Sequence, residues 1–153
     1  MYIGSLSVKA VTGYIFGVGD RKLTNIMMEL NTSKVYNTKY YPCFVKKQIV
    51  PFRLTRIMAN ALDVAGVNGV LEREMNDAMD IVRESKDFIV CTLEPSIRDE
   101  KLNWTSNPEN ALDFVAKRLS DENDSQELVL KLIDSATSDT NISRMPADWN
   151  SWW

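Results

Sequence analysis

Histidine is absent from the 153 residues. That excludes a Ser-His or Cys-His nucleophile and any histidine-ligated metal within this chain. Only two cysteines occur, Cys43 and Cys91, in unrelated contexts and without metal-ligand spacing. They provide no disulfide framework and read as two buried, reduced thiols. No apolar run reaches the roughly 18 residues that would argue for a membrane-spanning helix. The opening stretch "MYIGSLSVKAVTGYIFG" lacks a basic start, and Ser, Lys and Thr interrupt its apolar residues, so it does not read as a signal peptide.

The composition is that of a globular domain, 44% hydrophobic and 25% charged. The charge is unevenly placed. Residues 1–60 hold nine bases and two acids, whereas residues 61–153 hold nine bases and nineteen acids. Either the two halves face each other or other subunits, or the basic half faces phosphates.

The pattern predicts a mainly α protein with one small β-hairpin. Residues 5–16 read as a buried helix through Leu6, Val8, Val11, Tyr14 and Ile15, with Gly17 and Gly19 breaking it before Asp20. "NIMMEL" and "KVYNTKYY" read as two short strands joined at "NTS". A helix over 53–65 stops at Gly66. Another covers "VLEREMNDAMDIVRE", with Leu71, Met75, Ala78, Met79 and Val82 in a core-facing stripe. Ser85 is placed to cap the next helix, "KDFIVCTLEPSI", which Pro95 interrupts. Asn107 and Pro108 start a helix carrying Leu112, Val115 and Leu119. "DSQE" from Asp124 has the capping-box form and opens a helix with Leu128, Leu132, Ile133 and Ala136.

Chemistry gathers in residues 14–30, "YIFGVGDRKLTNIMMEL". Asp20 and Asn25, five apart, are residue types that orient a hydroxyl and hold a metal ion in phosphoryl transfer. By itself an Asp after Gly-x-Gly also serves to cap a turn or to pair with a neighbouring base, here Arg21.

"GYIFGVGDRKLTNIMME" resembles the catalytic loop of the phosphatidylinositol-3-kinase-related protein kinases, whose usual form is G-Y-[I/V]-L-G-L-G-D-R-H-x-x-N. "VPFRLTRIMANALDVAGVNG" is similar to the segment after their activation loop. "REMNDAMDIVRESKDFIVCTLEPSIRDEKLNW" is most like the TOR branch, and "VLKLIDSATSDTNISRMPADWNSWW" resembles their closing FATC segment. The resemblance implies a protein-kinase-like C-lobe of the PI3/PI4-kinase type over 1–104, a linker helix over 105–120 and FATC helices over 121–153. It implies no counterpart here of the N-lobe that covers the phosphates, so a fragment, a split-gene product and a shortened relative are all compatible.

The resemblance makes Asp20 the catalytic-base position and Asn25 a magnesium position, and puts Lys22 where the family has His. Counting back from Cys43 and Phe44 sets Asn37, Thr38, Lys39, Tyr40 and Tyr41 over the family's H-I-D-F-G, so Lys39 stands for its metal-binding Asp. A lysine there repels magnesium, which implies a pseudokinase without a resident cofactor. Mg and ATP enter only under the alternative, half of an active Ser/Thr kinase completed by an N-lobe on another chain. Only "VKKQIVP" separates Phe44 from Phe52, a short activation segment. Trp149, Trp152 and Trp153 either pack into the lobe or make a weak membrane contact, the segment having little basic charge. The cysteines of the family's closing segment correspond to Ser143, Met145 and Asn150, so a redox switch is not expected. The expected partners are proteins, not nucleic acid, and the expected location is the cytoplasm, with membrane association or the nucleus as further settings.

Overall fold

A stripe of Leu6, Ala10, Val11 and Ile15, each almost completely shielded from water, fixes which side of the first helix faces inward. In the computed structural model, which describes residues 1–42, 44, 48–62, 64–102, 104–120 and 124–146, this helix is α1, Tyr2–Ile15. It begins three residues earlier than its apolar pattern predicts, because Tyr2 and Ile3 also pack on the core. Val8, expected inside, is instead exposed. It lies on the α1 face opposite the stripe that meets the third long apolar run.

That run is α3, Val70–Glu84, with Leu71, Met75 and Met79 one turn apart and fully buried. The i, i+4 spacing stacks them on one helix face, and the methionine stripe is core, as its spacing predicts. Burying each such side chain contributes roughly 1.5–3 kcal/mol. α1 crosses α3 closely enough for the Ser7 hydroxyl, which also donates to the Ile3 carbonyl, to reach the Leu71 carbonyl at 3.4 Å.

Between α1 and α3 in the chain lies the hairpin, which packs on α1. β1, Ile26–Met28, pairs antiparallel with β2, Val35–Asn37, in the register Ile26–Asn37, Met27–Tyr36 and Met28–Val35. The turn at residues 29–34 closes through Glu29 N–H donating to the Lys34 carbonyl at 2.9 Å, with Ser33 in the left-handed region at φ 58°. Ser5 on α1 ties the hairpin down: its hydroxyl oxygen accepts from Val35 N–H at 2.9 Å.

The predicted helix over 53–65 is much shorter. It is α2, Arg56–Asn60, started by Thr55, whose hydroxyl oxygen accepts from Met58 N–H at 3.2 Å. Gly66, with φ 63°, opens a 3-10 turn, Gly66–Asn68, and does not close a helix. α4, Lys86–Arg98, follows α3 after the single residue Ser85. The Ser85 hydroxyl makes no capping bond; its carbonyl accepts from Ile89 N–H at 3.0 Å.

Pro95 does not interrupt α4. The backbone bond it removes would run to the Cys91 carbonyl, and both residues are exposed, so the lost bond lies on the solvent side of the helix. The other side, through Leu93 and Ile97, is held by the core. Cys91 is therefore an exposed free thiol, contrary to its expected burial. Cys43 lies outside the described residues.

α5, Pro108–Leu119, starts as predicted, with the Asn107 side chain accepting from Asn110 N–H at 3.1 Å. It buries Ala111, Val115 and Leu119. α6, Ser125–Thr137, buries the expected Leu128, Leu132, Ile133 and Ala136 against α3, but Asp124 makes no side-chain cap, so the capping box does not form. The short α7, Asp139–Ile142, follows. Among the described residues no helix is long and apolar enough to cross a membrane. Trp149, Trp152, Trp153 and Asn150 lie outside the described residues.

Candidate functional site

The loop from Gly17 to Asn25 begins where α1 runs out. Gly17 turns at φ 60°, a conformation that costs glycine little. The exit is fixed by bonds from Val18 N–H to the Gly13 carbonyl at 2.9 Å and from Gly17 N–H to the Tyr14 carbonyl at 3.2 Å. Asp20, exposed, also lies in the left-handed region at φ 47°, a strained setting worth about 1 kcal/mol for a residue with a side chain.

Asn25 stabilises that turn. Its side-chain nitrogen donates to the Asp20 carbonyl at 3.0 Å, and its own N–H donates to the Lys22 carbonyl at 2.9 Å as part of the 3-10 turn Leu23–Asn25. With Nδ2 so engaged, Oδ1 is the acceptor left on a buried side chain.

Two arginines hold the loop from behind. Arg21 is buried; its Nε donates to the Val18 carbonyl at 2.8 Å and its Nη1 to the Val50 carbonyl. Arg53, also buried, donates to the Arg21 carbonyl at 2.9 Å. The segment 50–53 is thereby tied to the loop 18–21. Neither role has a local signal in the sequence, since both bonds span about thirty residues.

Lys39 is placed by two further backbone bonds. Thr38 N–H donates to the Asn25 carbonyl at 2.9 Å, continuing the hairpin, and Gly19 N–H donates to the Tyr41 carbonyl at 2.7 Å. Val18 and Pro42 form an isolated antiparallel bridge beyond them. The chain at Lys39 and Tyr40 therefore runs alongside the loop that carries Asp20 and Asn25. The Tyr40 ring lies against Trp104, with centroids 6.2 Å apart.

The donor set formed by Asp20, Asn25 and Lys39 does not fit magnesium. Mg2+ takes six oxygens in near-octahedral geometry, usually including one or two carboxylates. One carboxylate and one amide oxygen are too few ligands, and a lysine on the neighbouring segment adds a charge that repels the ion. Among the described residues no three His, Cys, Asp or Glu side chains gather into a group that could hold a metal ion.

Lys9 joins this region from α1. With Arg21, Arg53 and Asn37 it lines a cavity of about 10 Å3, room for no more than one water. Burial, and then the Arg21 and Arg53 guanidiniums, pull its ammonium down to about 8. Between pH 8 and the usual value of 10.5 the unfolded chain binds more protons than the folded one, so stability rises with pH across that window. Lys9→Met is expected to flatten this rise. At pH 7 it should also stabilise the fold by about 1–2 kcal/mol, a figure reduced for the lysine's partial access to water. Urea unfolding at pH 7, 8.5 and 10 reads both effects, and an unchanged pH slope would contradict the assignment.

A family model described as "Phosphatidylinositol 3- and 4-kinase" matches residues 1–106. The chain belongs to the phosphatidylinositol 3- and 4-kinase family. It is 34% identical over 110 residues to "Serine/threonine-protein kinase mTor" of Drosophila melanogaster, covering 67% of this chain and 4% of that protein. To "Serine/threonine-protein kinase TOR2" of Saccharomyces cerevisiae it is 32% identical over 128 residues, 79% of this chain and 5% of that protein. "Serine-protein kinase ATM" of Sus scrofa is 30% identical over 129 residues, 80% of this chain and 4% of that protein. The chain thus spans about one-twentieth of the length of the curated relatives it matches.

The structure titled "Structure of the open conformation of CtTel1" superposes with a TM-score of 0.87 at 24% identity, over 99% of this chain and 6% of that one. At that identity it establishes the fold, a mostly helical kinase region with a two-stranded antiparallel sheet. Within the family the chain corresponds to the C-terminal kinase region of TOR-like members of the phosphatidylinositol-3-kinase-related branch.

Proposed function

We propose that this phosphatidylinositol 3- and 4-kinase family chain is a non-catalytic module, a TOR-like C-lobe followed by FATC-type helices over 121–153. In this reading it works through a protein partner in the cytoplasm and not through phosphoryl transfer. The observation that supports it is Lys39, whose backbone is fastened on both sides to the loop of Asp20 and Asn25. Phosphoryl transfer relies on metal ions that bridge the phosphates and neutralise developing charge. An ammonium at that place removes a ligand and repels the ion at once. Asp20 and Asn25 then serve the turn, Asn25 through its bond to the Asp20 carbonyl.

Thermal unfolding with Mg-ATP tests this reading. No magnesium-dependent stabilisation is expected, and Asn25→Ala should lower the melting temperature equally with and without Mg-ATP. Saturable, magnesium-dependent binding that Asn25→Ala abolishes would overturn it.

One observation favours a second reading, half of a Ser/Thr kinase completed in trans. Leu23, Met27 and Met28 are exposed beside Asn25, and with Ile57 and Met58 they line a cavity of about 240 Å3. An apolar face of this kind is commonly covered by a partner. A separately supplied N-lobe that restores magnesium-dependent transfer to a peptide would select this second reading over the first.

A further inference from the structure

We propose that Lys9 is a site of reversible carbamylation by carbon dioxide, the Arg21 and Arg53 guanidiniums holding the carboxylate that forms on its nitrogen. The proposal goes beyond the functional reading above and does not depend on whether the chain transfers phosphate.

Position carries the first part of the argument, because Lys9 lines two spaces at once. On one side is the cavity of about 10 Å3 that it shares with Arg21, Arg53 and Asn37. On the other is an open groove of about 530 Å3 between α1 and β2, with Val8, Thr12, Tyr36 and Tyr40 in its walls. A small neutral reactant can therefore reach this half-buried lysine through the groove, while the two arginines set its surroundings. The closed cavity has no room for a free polyatomic anion, whereas a carboxylate grown on the lysine nitrogen extends from the groove side.

Charge carries the second part. Lys9, Arg21 and Arg53 bring three positive charges together, and among the described residues no carboxylate lines either space. The first sixty residues hold only Asp20 and Glu29. Asp20 is exposed on its loop, and Glu29 accepts from the Thr32 hydroxyl at the hairpin turn. From α3 the Glu74 carboxylate approaches α1 at Gly4, more than a turn before Lys9. The other titratable groups along the groove are Lys34, Tyr36 and Tyr40. A buried ammonium in this company is unfavourable, and an anion in its place is attracted by both guanidiniums.

The reaction needs neither an oxidant nor a reductant. The lone pair of the neutral amine forms a bond to the carbon of CO2. One C=O π bond opens to leave the negative charge on oxygen, and an N–H proton passes to water. Burial and the two guanidiniums bring Lys9 to about 8, so at pH 8 about half of its amine is neutral. That fraction is on the order of a hundredfold larger than for a lysine at the usual 10.5. Carbamylation replaces three positive charges by two positive and one negative, which fastens α1 to the segments 18–21 and 50–53.

The full chain, equilibrated at pH 8 with carbon-13-labelled CO2 and bicarbonate, is observed by NMR. It is then ethylated with a trialkyloxonium salt and mapped by peptide mass spectrometry. A carbamate resonance is expected that Lys9→Met and Lys9→Arg both remove. Trapped occupancy at Lys9 should exceed that at Lys34 or at the Met1 α-amine by at least about tenfold. Arg53→Gln should lower it several-fold, and circular dichroism checks that each variant keeps the fold. At fixed pH and ionic strength, CO2 should raise the melting temperature of the natural sequence and not that of Lys9→Met.

No trapped carbamate at Lys9, or equal trapping at Lys9, Lys34 and Met1, overturns the proposal. That readout uses the natural sequence and does not depend on any variant folding. A Lys9 carbamate that leaves both the melting temperature and the Arg53→Gln occupancy unchanged overturns the role given to the guanidiniums.

Discussion

Met75→Ala is expected to lower the unfolding free energy by about 3–5 kcal/mol, the upper part of the range for truncating a buried methionine. Met75 is completely shielded at the middle of α3, the helix that touches both α1 and α6. Truncation removes the transfer energy of the side chain and leaves a cavity between three helices that cannot all move inward together. Urea unfolding should show a lower midpoint at an unchanged slope. Ile81→Ala, on the exposed side of the same helix, is the control and should stay within about 0.5 kcal/mol. Similar losses for the two variants would mean that α3 does not use the Leu71–Met75–Met79 face as its core.

Arg21→Ala should cost about 3–4 kcal/mol, for a different reason. Hydrogen bonds from a charged donor are worth more than neutral ones, and a buried acceptor left without its donor adds a desolvation penalty. Arg21 serves the carbonyls of both Val18 and Val50. Lysine keeps the charge but lacks the planar fork, so Arg21→Lys should recover less than half of the loss. Amide hydrogen exchange adds a local readout: protection at Val18 and Gly19 should fall in Arg21→Ala by more than the global loss explains. A neutral Arg21→Ala would show that the loop is held without its guanidinium.

The contrast between these two residues explains what the sequence discloses. Met75 announces itself, because Leu71, Met75 and Met79 recur at four-residue spacing and a helix must place them together. The start of α5 is equally legible, since Asn107 and Pro108 act on the backbone immediately beside them. Arg21 and Arg53 carry no such signal. The bonds that tie 50–53 to 18–21 span about thirty residues, and the same letters would suit a solvated surface.

The misreadings have related causes. Val8 fits the apolar pattern of α1, but periodicity does not say how wide a face the neighbours cover. Pro95 looks like a break until its lost bond is found to point at water. Asp124 has the residues of a capping box, yet whether the side chain turns inward depends on the entry of the chain. At the candidate site, the roles read for Asp20, Asn25 and Lys39 rest on the family resemblance alone, and spacing discloses only the hairpin. The bond from Thr38 to Asn25 follows from the hairpin register once the turn at 29–34 is set, whereas the bond from Gly19 to Tyr41 does not.

Arg118 gives the loop an unusual dependence on synthesis order. Its guanidinium, on α5, donates to the Tyr14 carbonyl at the end of α1 and lies over the Tyr14 and Phe114 rings, at 4.3 and 3.9 Å from their centroids. The two residues are 104 positions apart. A chain emerging from the ribosome exposes Asp20 and Asn25 early, yet the carbonyl just ahead of their turn lacks its distant donor until α5 has followed. A nascent chain that stops at α4 therefore contains every letter of the loop without the clasp at its entry. Contacts of such long sequence separation form late because closing the intervening loop is entropically costly.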